Sequence, residues 1–278
     1  MDARPIGMFD SGFGGLTVAR AAIDLLPNED LVYLGDTGRY PYGSKSQDEV
    51  RAYALEIADH LVAGHDIKIL VVACNTATAA ALGDLRARLD IDVIGVINPG
   101  VAASAHAVAA MGRTGRLGVI GTVGTIGSGA YERAVARHSA LTGETVEVVT
   151  CACPGFVEFV ERGDLDSPEV RILAERLLAP VVDAEVDALL LGCTHYPYLA
   201  RVIADVMGPD VVLVSSADET AFALADRLAA AGLAHPDTGR RGRHTFISSG
   251  DVTAFTVLGS KLLGPELANA ERWEPHAT

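Results

Sequence analysis

The chain has 278 residues, nearly half of them hydrophobic, and a net charge of −14. That length holds one large domain or two of ordinary size, and the acidic balance argues against nucleic-acid phosphates as the main partner. No stretch approaches the about 18 apolar residues of a membrane span, and no basic leader with an apolar segment follows Met1. A cytoplasmic protein with four reduced cysteines is therefore expected.

Residues 6–9 read as a first strand, residues 10–15 as a turn, and residues 16–26 as a helix stopped by Pro27. A second strand at 31–34 runs into residues 35–44, a loop dense in turn residues. Ser46 followed by Glu49 is a capping box, and Val50, Ala54, Ile57 and Leu61 continue with helical spacing. A strand at 69–73, a helix at 76–89 and a strand at 93–97 complete this run. The pattern restarts after Pro99 with a helix at 100–111 and a strand at 117–120. A turn over 121–128 precedes another helix, and strands follow at 146–150, 188–191 and 211–214 with helical stretches between. A helix at 220–231, a strand at 245–248 and a helix at 254–263 close the fold, and the chain beyond Pro265 reads as a poorly ordered tail.

Strands alternating with helices imply parallel sheets covered on both faces. Two similar flavodoxin-like α/β lobes are expected, one from residues 1–97 and 215–265 and one from 98–214, with a tail at 266–278. The active site is expected in the cleft between them.

Two segments carry the chemistry. Val71-Val72-Ala73-Cys74-Asn75-Thr76 and Leu190-Leu191-Gly192-Cys193-Thr194-His195 are apolar runs that end in a cysteine and then polar residues. Open parallel sheets place their chemistry at the C-terminal ends of such strands. A lone cysteine is a small buried hydrophobe, but two in matched settings suit an acid and a base facing each other. Metal binding is the competing reading. No C-x-x-C occurs, and Cys151-Ala152-Cys153 lacks zinc spacing and nearby histidines, so that pair reads as structural and no metal site is expected.

Asp10-Ser11-Gly12-Phe13-Gly14-Gly15 does not match a dinucleotide loop. An aspartate at a strand end repels phosphate and suits an ammonium group or a partner for a thiol. Gly38 to Ser46 nearly matches a P-loop, but its lysine is displaced by one position. A loop holding a carboxylate with backbone amides, Tyr42 and Ser44 is the better reading. Thr122 and Thr125, flanked by glycines at another strand end, suit either a tight turn or a carboxylate. His195, structural if alone, lies beside Cys193 and there can shuttle a proton.

Phe9-Asp10-Ser11-Gly12-Phe13-Gly14-Gly15-Leu16-Thr17-Val18, Gly35-Asp36-Thr37 with Pro41-Tyr42-Gly43, Ala73-Cys74-Asn75-Thr76-Ala77, and Gly192-Cys193-Thr194-His195-Tyr196-Pro197 together resemble the glutamate racemase family. The four motifs fall in the family's order, and the resemblance runs from about Pro5 to Leu263. Aspartate racemases of the same cofactor-independent group share the paired cysteines. The resemblance implies that Cys74 and Cys193 are the two acid/base residues, with Cys74 working on D-glutamate and Cys193 on L-glutamate. It implies that Asp10 assists Cys74, and that His195 with a nearby glutamate assists Cys193. By register that glutamate is Glu161, with Glu158 the other candidate. Asp10, Ser11, Pro41, Tyr42, Gly43, Ser44, Asn75, Thr76, Thr122, Thr125, Thr194 and His195 are the expected substrate contacts. No cofactor is expected, and the implied role is supply of D-glutamate for peptidoglycan. A homodimer is the expected assembly. The rivals are an aspartate racemase and a non-catalytic α/β ligand-binding module.

Overall fold

The computed structural model describes residues 1–111 and 115–275. In the first part of the chain β1 (Ile6–Asp10), α1 (Leu16–Leu25), β2 (Leu31–Gly35), α2 (Gln47–His65), β3 (Ile69–Val72), α3 (Asn75–Arg88) and β4 (Asp92–Gly95) alternate. The middle part repeats the pattern with α4 (Ile97–Met111), β5 (Arg116–Gly121), α5 (Val123–Gly127), α6 (Ala130–Thr142), β6 (Glu147–Ala152), α7 (Phe156–Glu161), α8 (Pro168–Asp183), β7 (Ala188–Gly192), α9 (Ala200–Met207) and β8 (Val212–Ser215). α10 (Ser216–Ala230), β9 (His244–Ser248), α11 (Val252–Leu263) and β10 (Glu271–Arg272) follow.

Two compact units result, residues 1–96 with 220–278, and residues 97–219. Each contains one sheet, ordered β10-β9-β2-β1-β3-β4 in the first lobe and β6-β5-β7-β8 in the second, and every described ladder is parallel. The α/β reading of the sequence is thus met in both lobes. The central strands are apolar runs buried on both faces, as covered parallel strands must be: all five residues of β1 and of β7 are buried. The second sheet repeats the order of the β2-β1-β3-β4 portion of the first, so β5, β6, β7 and β8 correspond to β1, β2, β3 and β4.

Helix α2 starts at the capping box read from sequence, with Ser46 accepting from the Glu49 amide and Glu49 reaching back to Ser46. Elsewhere the boundaries differ for local reasons. The strand expected to reach residue 97 ends at Gly95, and Ile97 already belongs to α4, because Pro99 sits in the first helical turn where no amide donor is needed. The turn expected at 121–128 contains a single turn of helix, α5, capped by the Thr122 hydroxyl. The chain beyond Pro265 is not loose over residues 266–275. Leu267 is fully buried, and β10 adds a short parallel strand to β9.

Candidate active site

In an open parallel sheet the crevice for a ligand opens where neighbouring connections leave in opposite directions. In the first lobe that point lies beyond the C-terminal ends of β1 and β3, and Asp10 and Cys74 stand there. The Ala73 amide donates to the Phe9 carbonyl at 2.8 Å, which holds the two chain ends together. Asp10 is fully buried, and its Oδ1 accepts the Gly12 amide at 2.8 Å. The turn packs so tightly that a Cβ at Gly15 would lie 2.4 Å from that of Asp10, so only glycine fits.

Cys74 is the N-cap of α3. Its Sγ accepts the Ala77 amide at 3.4 Å and lies 3.6 Å from Ser11 Oγ, so sulfur sits against both a helix N-terminus and a hydroxyl. Asn75 and Thr76 form the first turn of the same helix and are buried beside it. Pro41, Tyr42, Gly43 and Ser44 lie on the loop after β2, where residues 42–44 make a 3₁₀ turn. The Tyr42 hydroxyl donates to the Asp36 carboxylate. Burial and that carboxylate push the phenol well above its usual range, so it keeps its proton. A phenol has one proton to donate, and Tyr42 commits it to Asp36. The side chain therefore braces the loop through Asp36.

The second lobe has an equivalent point beyond β5 and β7. Thr122 follows β5 and caps α5 by accepting the Thr125 amide at 3.2 Å, and the two threonine hydroxyls lie 2.9 Å apart. Cys193 follows β7 directly and is buried. A Cβ at Gly192 would meet the Ile120 carbonyl at 2.6 Å, so this glycine lets the strand carry Cys193 past β5. Unlike Cys74, Cys193 does not cap an α-helix, for a 3₁₀ turn at Tyr196–Leu199 intervenes before α9. Its neighbour is His195, whose Nδ1 lies 3.8 Å from Sγ.

On the other side of that ring, Nε2 lies 3.3 Å from Glu161 Oε1, a contact in ion-pair range. Glu161 is carried there by α7, which Gly155 starts in a left-handed conformation with φ of 95°. Glu158 on the same helix faces solvent. The order in space is thiol, imidazole, carboxylate, with Glu161 Oε1 and His195 Nε2 at ion-pair distance but not at hydrogen-bond geometry. Thr194 lies buried between Cys193 and His195 in sequence.

Cys151 and Cys153 stand at the end of β6. Cys151 Sγ donates to the Leu177 carbonyl at 3.0 Å. The hydrogen bond to Cys151 and burial push the Cys153 thiol up, which suits a packing role. Among the described residues no group of three His, Cys, Asp or Glu side chains is placed to hold a metal ion.

Sequence reasoning assigned no role to Asp36, Arg39 or Ser249. Asp36 is fully buried after β2 and gathers Tyr42, Arg39 Nε at 2.8 Å and Ser249 Oγ at 2.5 Å. A carboxylate closing an apolar strand was the available signal, the same one that marked Asp10.

Comparison with known proteins agrees with this layout. The family model for Asp/Glu/Hydantoin racemase matches residues 17–224. A glutamate racemase of Acidothermus cellulolyticus is 49% identical over 95% of this chain and 97% of its own. The crystal structure of glutamate racemase isoform RacE1 from Bacillus anthracis superposes with a TM-score of 0.89 at 38% identity, covering 99% of this chain and 98% of that one. The Francisella tularensis glutamate racemase, solved in complex with D-glutamate, gives a TM-score of 0.86 at 31% identity, covering 100% of this chain and 98% of that one. The chain belongs to the Asp/Glu/Hydantoin racemase family, among the glutamate racemases.

Proposed function

We propose that this racemase interconverts L- and D-glutamate with Cys74 and Cys193 as its acid and base and with no cofactor. The observation that carries the reading is topological equivalence. Each thiol follows the strand next to the first strand of its own lobe, at the point where a parallel sheet presents ligands. Such matched placement suits a reaction that treats the two faces of one carbon alike.

Racemisation removes the α-proton from one face of the substrate and delivers a proton to the other. One cysteine as thiolate takes the α-proton and becomes a thiol. The other, a thiol at the start, protonates the opposite face and is left as thiolate. The reverse direction exchanges the roles. The carbanion between these steps needs hydrogen bonds on the substrate carboxylate and an intact ammonium group. Ser11, Asn75, Thr76, Thr122, Thr125 and Thr194 supply donors for carboxylates, with the backbone of the loop at Pro41–Ser44, and Asp10 suits the ammonium group. The Cys74 environment is a helix N-terminus with Ser11, whereas that of Cys193 is His195 backed by Glu161. The two bases therefore need not share a pH profile.

The test is polarimetry on each enantiomer of glutamate and of aspartate with no cofactor added, repeated in deuterated water. Rotation of either glutamate should decay to zero while aspartate stays unchanged. Deuterium should enter the inverted product early and the recovered substrate hardly at all. Equal early labelling of both would mean a single shared base, and racemisation of aspartate at the glutamate rate would remove the proposed selectivity.

Glu161→Gln should slow the step in which Cys193 acts, about tenfold, since it keeps the shape but removes the charge behind the imidazole. Glu158→Gln should leave initial rates within about twofold. Comparable losses in the two variants would deny Glu161 its place in the relay.

In a bacterial cell the product suits D-glutamate supply for peptidoglycan. No described helix is long and apolar enough to cross a membrane. The four free thiols support our reading of a cytoplasmic enzyme.

A further inference from the structure

We infer that Trp273, on the C-terminal segment, is a positioning residue for the substrate loop at 36–44, acting through Arg39. This rests on reading that loop as part of the glutamate site.

The segment reaches the loop by two routes within the first lobe. Through the backbone, β10 pairs with β9, and the Trp273 amide donates to the Ser248 carbonyl at 2.9 Å. The residues at that end of β9 are laced to the loop. Ser248 Oγ lies 2.7 Å from Thr37 Oγ1, and Ser249 Oγ accepts the Gly38 amide at 2.9 Å and bonds Asp36.

Through the side chain, the indole lies against Arg39. The guanidinium carbon sits 4.3 Å from the centre of the Tyr53 ring and 5.4 Å from that of Trp273, and the indole also stacks on His60 at 5.1 Å. Among the described residues, one terminal nitrogen of Arg39 is buried without a hydrogen-bond acceptor. Aromatic faces rather than oxygens therefore stabilise that side of the cation. Its other nitrogens bond Asp36 at 2.8 Å and Glu56 at 2.5 Å. Asp36 in turn takes the Tyr42 hydroxyl.

Removing the indole admits water to the guanidinium, and water then competes for the Arg39 contacts with Asp36 and Glu56. The Asp36–Tyr42 contact, which fixes the turn at residues 42–44, loses its support. Substrate capture should weaken. The proton transfers should not, because neither Cys74 nor Cys193 belongs to this network.

The chain holds one tryptophan, so the segment carries its own fluorescent reporter. Kinetics with D-glutamate on the full-length enzyme should show KM about tenfold higher in Trp273→Ala with kcat within about twofold, and most of the loss restored in Trp273→Phe, which keeps a ring face. Tryptophan emission of the unmodified enzyme should shift and saturate as D-glutamate is added. An unchanged KM in a folded Trp273→Ala would overturn the inference, as would emission that does not respond to a substrate the enzyme turns over. If Trp273→Ala does not fold, the emission titration decides. A wild-type enzyme that leaves glutamate rotation unchanged would instead defeat the functional reading itself.

Discussion

Cys74→Ser and Cys193→Ser should each lower the rate of glutamate racemisation by about 10²–10⁴-fold, the span that a positioned acid or base contributes. A serine hydroxyl is a far weaker acid than a thiol. At either position it can neither take the α-proton as its anion near neutral pH nor release a proton readily to a carbanion. The relay has two sides, so losing one stops net inversion in both directions. The change at Cys74 is also clean structurally. That residue is an N-cap, where serine is among the preferred residues, so α3 should not lose stability. Cys193→Ser keeps a small polar atom against His195. Cys151→Ser and Cys153→Ser should leave the rate within a few-fold, about the effect of a mild packing change away from the reacting atoms. The measurement is the initial rate of all four variants from each enantiomer, after circular dichroism shows that each is folded. Full activity in either of the first two would end the two-thiol mechanism.

The parts of this molecule that were legible in its sequence are those set by local physics. A strand buried on both faces must be an unbroken apolar run, so β1, β3, β5 and β7 were visible, and with them the residues at their C-terminal ends. Asp10, Thr122, Cys74 and Cys193 could be singled out as candidates for that reason, and they do stand at those strand ends. The start of α2 was readable because a capping box is complete within four residues. What was not legible depends on distant partners. The two residues of β10 carry no apolar pattern and form a strand only because β9 offers a free edge. The contacts of Asp36 with Ser249 and of Arg39 with Trp273 join positions more than two hundred residues apart. The choice between Glu161 and Glu158 turned on which face of α7 meets His195, and the contact of Glu161 with His195 favours the former. The bond of the Tyr42 hydroxyl to Asp36 was hidden for a similar cause, since a tyrosine in a turn-rich loop gives no sign of which group its hydroxyl meets.

Lys68→Ala should destabilise the protein by about 3–5 kcal/mol, the usual cost of leaving half of a buried ion pair behind. The Lys68 side chain is fully buried and that of Glu29 nearly so. Nζ donates to Glu29 at 2.5 Å and to the Asp2 carbonyl at 2.8 Å, while the other Glu29 oxygen accepts the His235 amide at 2.7 Å. Without the ammonium group the Glu29 carboxylate stays in the interior with one amide to balance its charge. At about 2–4 °C per kcal/mol for a unit of this size, the midpoint of thermal unfolding should fall by roughly 10 °C. Lys68→Met with Glu29→Gln should recover most of that. The pair then carries no charge, and the glutamine oxygen still accepts from His235. Activity should follow a different course. Lys68, Glu29 and Asp2 precede β3, β2 and β1, so they cluster at the N-terminal ends of the parallel strands, whereas Asp10, Asp36 and Cys74 lie at the opposite ends. A folded Lys68→Ala enzyme at 25 °C should therefore keep kcat and KM within about twofold of the parent, as stability changes remote from a site usually do. A large loss of kcat without a fall in the unfolding midpoint would show that the two ends of this sheet are not independent, and that the ion pair serves the chemistry as well as the fold.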